Sequence, residues 1–344
     1  NERDRRMTIM TTTFIPCGAK MPIVALVAGA LFHNAGWVAT TAYFIGVAAV
    51  IVSGIMLKKT RAFAGDPAPF VMELPAYHAP SVKNVLHSMW ERGFSFIKRA
   101  GTVIVVASIF IWFTSGYGWM PAQADGAAGG GTAAVEQAVD ANAPLVFGAV
   151  ENMDDSMLGK AGSFVAPVFS PLGFGNWQST VATVMGLVAK EEVVGVFGVL
   201  YGVTDDEGED AAAALLGEGS DEEIEQGLSP IAAAFNDSSN GHGQLAAFAF
   251  LLFNLLCAPC YAAMGAIKRE MNSVKWTWFA IGYQCGFAYV VAFVVYQLGL
   301  LFSGAGFGIA SVIAIVLFGL LAYMLARKNR YDENHFTKRV KVEA

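Results

Sequence analysis

Residues Gly186–Gly195 read GLVAKEEVVG, which places three consecutive charges, Lys190, Glu191 and Glu192, inside an apolar run. From Ala161 to Ala189 the chain carries no Asp, Glu, Lys or Arg, and after Glu192 none returns until Asp205. Elsewhere the apolar residues are also gathered into blocks. Met21–Leu57, Gly101–Ala124, Gly243–Ile267 and Trp276–Ala326 contain no formal charge. About 20 apolar residues span a bilayer, so the last block holds two spans joined near Ser303-Gly304. Only 15% of the residues are charged, against about 25% in soluble domains. The chain therefore reads as an all-α polytopic membrane protein. Charges at membrane depth cost several kcal/mol unless they pair or meet water, so the KEE stretch calls for a special environment.

The charges outside the blocks are sorted. Lys58–Arg99 holds seven basic residues, the tail from Arg327 six, Lys268–Lys275 three, and Arg3, Arg5 and Arg6 open the chain, making 19 of the 22. By the positive-inside rule these segments, and so the C-terminus, face the cytoplasm. Segments 116–160, with six acids and one base, and 203–242, with eleven acids and no base, read as external and solvated. The net charge of −6 is thus not one acidic surface. Alternation between the faces requires 161–202 to begin and end outside, as a re-entrant hairpin or a pair of spans. Pro167 and Pro171 interrupt its first limb and favour a re-entrant or surface-lying element. Irregular backbone at membrane depth is tolerated only under protein or along a water-filled cavity, so KEE belongs to a broken element beside a polar pathway. The expectation is about six spans plus this element. Residues 1–6, NERDRR, show no signal peptide, and the start, without Met, reads as a cut through a larger protein.

Two Pro-Cys pairs lie in apolar segments: FIPCGAKMP (Phe14–Pro22) and LLCAPCYAA (Leu255–Ala263). Proline removes a backbone donor and clashes with the preceding turn, so each helix is disturbed there and carbonyls are freed. Transporters build ion sites at such discontinuities, and thiolate suits Fe(II), Cu(I) or Zn. Cys17 and Cys260, with Pro16 and Pro259, are therefore candidate soft ligands. Cys257 and Cys285 have no adjacent proline and read as small apolar filler. In KEE, consecutive residues point about 100° apart on a helix, so Glu191 pairs with Lys190 only if the helix unwinds there. A buried structural ion pair is the plain alternative. Lys20, one turn beyond Cys17, is a further partner for an intramembrane carboxylate. The five histidines form no metal set, and the chain has no HExxH, GxSxG or GxxxxGK[ST] pattern, so nothing marks it as an enzyme or a nucleotide binder. Glu73–Lys98 reads as an amphipathic segment on the cytoplasmic membrane face.

With those motifs quoted, the chain resembles the bacterial ferrous iron transporter B (FeoB) family. FIPCGAKMP, PFVMELPAYHAPSVKNVLHSMWERGFSFIKRAGTVI, SPLGFGNWQSTVATVMGLVAKEEVVGVFGVLYG, APCYAAMGAIKRE and FAIGYQCGFAYVVAFVVYQLG follow the family's order over most of residues 1–300. The resemblance implies the C-terminal part of an inner-membrane Fe(II) uptake protein. It divides the chain into a FeoB C-terminal-type segment (1–62), a cytoplasmic amphipathic loop (63–100), a second Gate-type domain (101–300), and a last span with a basic tail (301–344). It further implies a GTPase domain upstream that holds GTP and Mg2+, with Fe2+ as substrate and no covalently bound cofactor here. The implied partners are that domain, small accessory Feo proteins and the lipid bilayer, with no nucleic acid; homo-oligomerisation stays open. The family's motifs fall on Pro16-Cys17, Pro259-Cys260 and Ala189-Lys190-Glu191. Cys17 and Cys260 become Fe(II) ligands and Glu191 a compensating carboxylate. Lys190 either orients Glu191 or acts as a releasable internal cation. Glu192, where the family usually has an apolar residue, adds a carboxylate ligand or a salt bridge. Gly18-Ala19-Lys20 also departs from the family's usual Ser-Ala-Arg. Other readings are the same architecture with another divalent metal or a nucleoside-like solute, an intramembrane enzyme with Lys190 as base, or an assembly fragment without activity.

Overall fold

A computed structural model describes residues 2–32, 36–60, 62–63, 81–121, 145–150, 153–190, 192–201, 221–304 and 308–328. Glu191, residues 64–80 of the loop expected to be cytoplasmic, 202–220 of the second acidic segment and the tail from 329 lie outside them, as do His33, His78 and His335. Of Glu192 only the backbone is described.

The described chain is a helical bundle. Among the described residues, four stretches are long and apolar enough to cross a membrane: Gly36–Lys58, Gly243–Met271, Val274–Phe302 and Ile309–Ala326. One feature departs from an all-α reading: Tyr117–Pro121 (β1) and Leu145–Ala149 (β2) pair as an antiparallel ribbon, with Trp119 opposite Phe147.

The proline positions decide where helices stop. Helix α1 (Glu2–Thr12) ends four residues before Pro16, and a 3-10 turn (Gly18–Lys20) leads into α2 (Met21–Phe32). Helix α3 (Gly36–Lys58) returns along this broken pair. It approaches the break at Gly46, where an added Cβ would stand 2.8 Å from Phe14 O. Helix α4 runs unbroken from Val82 to Gly116. After α5 (Met157–Val165), Pro167 and Pro171 hold the chain in two 3-10 turns, closed by Gly173 at φ +89°. Helices α6 (Trp177–Val188) and α7 (Glu192–Leu200) then form a tight hairpin. Asn176, which caps α6, donates from Nδ2 to the Tyr201 hydroxyl at 3.0 Å, so both open ends of the hairpin lie together.

Part of the second acidic segment is more ordered than its composition suggests. Helix α8 (Asp221–Ser238) buries Ile231 and Phe235 in the core. Helix α9 (Gly243–Leu256) is the centre of the bundle, with 11 of its 14 residues buried. Helices α10 (Tyr261–Met271), α11 (Val274–Phe302) and α12 (Ile309–Ala326) complete the chain. The aromatic core around α9 sets Phe174, Phe197 and Phe235 edge-to-face with Phe250 at centroid distances of 5.3–5.6 Å.

The charge sorting has a spatial counterpart. Arg6 sits 4.9 Å over the Trp276 ring, and Phe63 packs edge-on against the same ring. Lys59 donates to the Met324 and Leu325 carbonyls at the end of α12. The basic segments at the N-terminus, after α3, between α10 and α11 and after α12 therefore share one end of the bundle. The opposite end carries the β-ribbon, the open end of the α6–α7 hairpin and the start of α9. There Ser238 Oγ donates to Gly173 O at 3.0 Å and Gln297 Nε2 to Pro171 O at 2.8 Å.

Candidate functional site

Helix α9 stops in the middle of the bundle. In an uninterrupted helix the Leu255 carbonyl would accept from residue 259, which is proline and has no N–H. Cys257 is extended (ψ 166°), its N–H still bonding Phe253 O, and Cys260 is extended before α10 begins. The carbonyls of Asn254 and Leu255 are thus left without helical donors.

Two lysines from the other two breaks take them. Lys20, in the turn after Pro16-Cys17, donates from Nζ to Leu255 O at 2.6 Å and to Thr13 O at 2.8 Å. Lys190, at the tip of the α6–α7 hairpin, donates to Asn254 O at 3.1 Å. Their side chains are 2% and 1% exposed, so neither ammonium is solvated. Among the described residues neither meets a carboxylate.

Three helix C-termini therefore point at one place: α1 from the basic end, and α6 and α9 from the other. Each carries about half a negative charge on its free carbonyls. A buried ion costs several kcal/mol, and a cation at a helix C-terminus recovers roughly 0.3–2 kcal/mol per helix. Convergence of three such ends offsets part of that cost for the two lysines, which meet no acid among the described residues. Asn254 adds a further acceptor. Its Nδ2 bonds back to Phe250 O, while its buried Oδ1 has no donor among the described residues. Gly186 leaves the space that this amide faces, since a Cβ there would stand 3.6 Å from Oδ1.

The cysteines surround this point. Cys17, Cys257 and Cys260 are within electrostatic range of Lys20, and all four cysteines are within that range of Lys190. Cys17 is exposed, Cys260 partly so, and Cys257 buried. The structure thus brings together the neighbourhoods of Cys17, Lys20, Lys190 and Cys260. Among the described residues no group of three or more His, Cys, Asp or Glu is gathered for a metal. Lys20 meets carbonyls among the described residues, and the carboxylates it was expected to partner, Glu191 and Glu192, have no described side chain. Lys190 bonds a carbonyl across the break, and the partners of Glu191 and Glu192 fall outside what is described. Sequence reasoning missed Asn254 and the Cys257–Cys285 contact, in which the Sγ atoms approach to 3.4 Å. The spacing of Pro259 from Leu255 could have revealed the free carbonyl. Nothing in the sequence tells which amine fills it.

At the ribbon end a polar cavity of about 320 Å³, lined by Ser170, Asn176, Gln178, Asp237 and Ser238, opens beside the start of α6.

Comparison with known proteins places these features in a family. The model for the ferrous iron transport protein B C terminus matches residues 39–92, and the Gate model, described as nucleoside recognition, matches residues 97–274, over half of the chain. The Fe(2+) transporter FeoB of Escherichia coli K12 is 32% identical over 357 aligned positions, covering 95% of this chain and 43% of that protein. The FeoB of Salmonella typhimurium LT2 matches to the same extent. A fusion of Fe(2+) transport protein A with FeoB from Porphyromonas gingivalis is 33% identical, covering 88% of this chain and 35% of its own length. The chain thus spans less than half the length of these relatives. No solved structure matches.

Proposed function

The chain belongs to the Gate family, joined to the FeoB C terminus, and from that premise we propose that it is the membrane conduit of a ferrous iron uptake transporter. The observation that carries the reading is the meeting of three helix breaks at mid-depth, two of them marked by Pro-Cys. Soft thiols beside carbonyls that lack helical donors suit a partly dehydrated Fe2+ better than they suit Mg2+ or Ca2+. A nucleoside-like cargo would have no use for the two Pro-Cys pairs.

In this reading the end that gathers the basic segments is cytoplasmic, and so is the C-terminus. The membrane is that of the bacterial cell. The chain then crosses six times, as α1 with α2, α3, α4, α9 with α10, α11 and α12. The α6–α7 hairpin is the re-entrant element: its helices of 12 and 9 residues reach only about 18 and 14 Å, too short for a core of about 30 Å. The polar cavity is the outer mouth. Cys17 and Cys260 serve as soft ligands, Glu191 as the compensating carboxylate, and Glu192 as an added one. GTP and Mg2+ act in a G domain beyond this chain, which gates or drives transport, and accessory Feo proteins bind with it. No covalent cofactor is needed here.

The test is Fe2+ uptake by the intact protein in cells lacking other ferrous iron uptake, at matched membrane abundance. Cys17→Ser and Cys260→Ser are each expected to lower uptake about tenfold or more, the equivalent of 1.4 kcal/mol. Wild-type uptake in both would return the thiols to packing and sink the reading. Loss in Glu191→Gln alone would mean a carboxylate-lined path.

A further inference from the structure

We propose that the meeting point of the three helix C-termini is a cation seat built from backbone carbonyls, that Lys20 and Lys190 occupy it as tethered ammonium ions, and that a cation crossing the protein displaces them. The seat itself rests on geometry alone; its part in passage rests on the transport reading.

The acceptors are the carbonyls of Thr13, Asn254 and Leu255, already bonded by Nζ atoms at 2.6–3.1 Å. Beside them the Asn254 Oδ1 is buried and lacks a donor among the described residues. All four are neutral oxygens, and the helix ends supply only partial negative charge. That set fits a small monovalent cation or a primary ammonium, and an ammonium is what each lysine presents. An ammonium has three donors, so a purely structural cap of these carbonyls would need only one amine. Here two amines come from two different breaks, and each lies on a segment joined to its own helix pair. Lys20 hangs from the turn between α1 and α2, and Lys190 from the hairpin tip. Shifting either element would withdraw its ammonium and open the acceptors to another cation, with no loss of charge on the lysine. Discontinuous helices use freed carbonyls and C-terminal ends for cations in this way.

The experiment asks whether an external amine can take a vacated position. The chain is purified in detergent as wild type, Lys190→Ala and Lys20→Ala. Each is melted in increasing methylammonium chloride or in tetramethylammonium chloride at equal ionic strength. Tetramethylammonium has the charge without an N–H donor. Both variants are expected to melt several degrees below wild type. Methylammonium should restore them saturably, at a half-saturating concentration about tenfold or more below any effect of tetramethylammonium, as expected when a donor answers a buried acceptor. Wild type should respond to neither. Equal responses to the two salts, or a wild type that responds like the variants, would overturn the seat. If a variant does not survive extraction, methylammonium present throughout should recover monodisperse protein where tetramethylammonium does not. Absence of that recovery also overturns it.

A second arm measures Fe2+ uptake by intact Lys190→Ala protein. Methylammonium outside should inhibit it at concentrations that leave wild type untouched. Rescue of melting without inhibition would remove the displacement step and leave the seat. Failure of the Cys17 and Cys260 test with rescue intact would remove the iron reading and leave the seat.

Discussion

Two places in this molecule put a lysine onto the last carbonyls of a helix, and they behave differently. At the basic end Lys59, half-exposed, donates to Met324 O and Leu325 O where α12 ends of its own accord. At mid-depth Lys20 and Lys190 donate to α9, which ends because Pro259 removes a donor. Only 11% of the apolar window of α12 is buried in the bundle, against 72% for Gly243–Met271. A carbonyl at the edge can turn to water or headgroups if its lysine leaves. One at the centre has no such alternative, and an unmet buried acceptor costs about 1–3 kcal/mol. The same contact is therefore trim in one place and a structural necessity in the other.

The largest effect that would break this contrast is expected at Pro259. Pro259→Ala returns an N–H in reach of Leu255 O and lets α9 run on toward α10. The restored helical bond is set against a buried Lys20 that keeps only Thr13 O as acceptor, so the melting temperature should stay near that of wild type. Lys20 would lose its acceptor on α9, and Fe2+ uptake should fall about tenfold or more. Normal uptake with an intact or raised melting point would mean that the break is incidental.

The sequence carried much of this contrast without its geometry. Charge-free blocks and sorted Lys and Arg separate spans from loops, and the basic segments do gather at one end through Arg6, Phe63, Trp276 and Lys59. The two Pro-Cys pairs located two breaks, because a missing N–H is a local property of proline. The third break, at Lys190, announced itself only as charge in an apolar run. What stayed hidden was long-range: that Lys20 would cross 235 positions of chain to Leu255, and that Cys257 would lie against Cys285. Both depend on how α1, α9 and α11 pack, and no spacing within one helix encodes that.

A matched pair of glycines sharpens the comparison at intermediate size. Gly186 faces the junction, where an added Cβ would stand 2.7 Å from Val193 Cγ2. Gly319, in α12, has nothing within 4 Å. Alanine gains up to about 1 kcal/mol over glycine in a helix interior. Gly319→Ala should keep that gain. Gly186→Ala should lose it to the clash and be destabilised by about 1–3 kcal/mol, as overpacked sites are. Opposite shifts in melting temperature are the expected outcome. Shifts of the same sign would mean that the hairpin tip is as loosely packed as the last span.

The smallest effect belongs to Lys59 itself. Lys59→Met keeps the apolar stem and removes the ammonium from the Met324 and Leu325 carbonyls. A cation at an accessible helix C-terminus contributes about 0.3–1 kcal/mol, and salt screens it. The melting temperature should therefore drop slightly in low salt, the difference should shrink as salt rises, and Fe2+ uptake should be unchanged. Lys190→Ala, set in the same series, should show a larger drop that salt barely alters, because no counter-ion reaches a group 1% exposed. If Lys59→Met cost as much as Lys190→Ala and were equally blind to salt, the end of α12 would be as dry as the junction. The distinction between an edge cap and an internal cation would then fail.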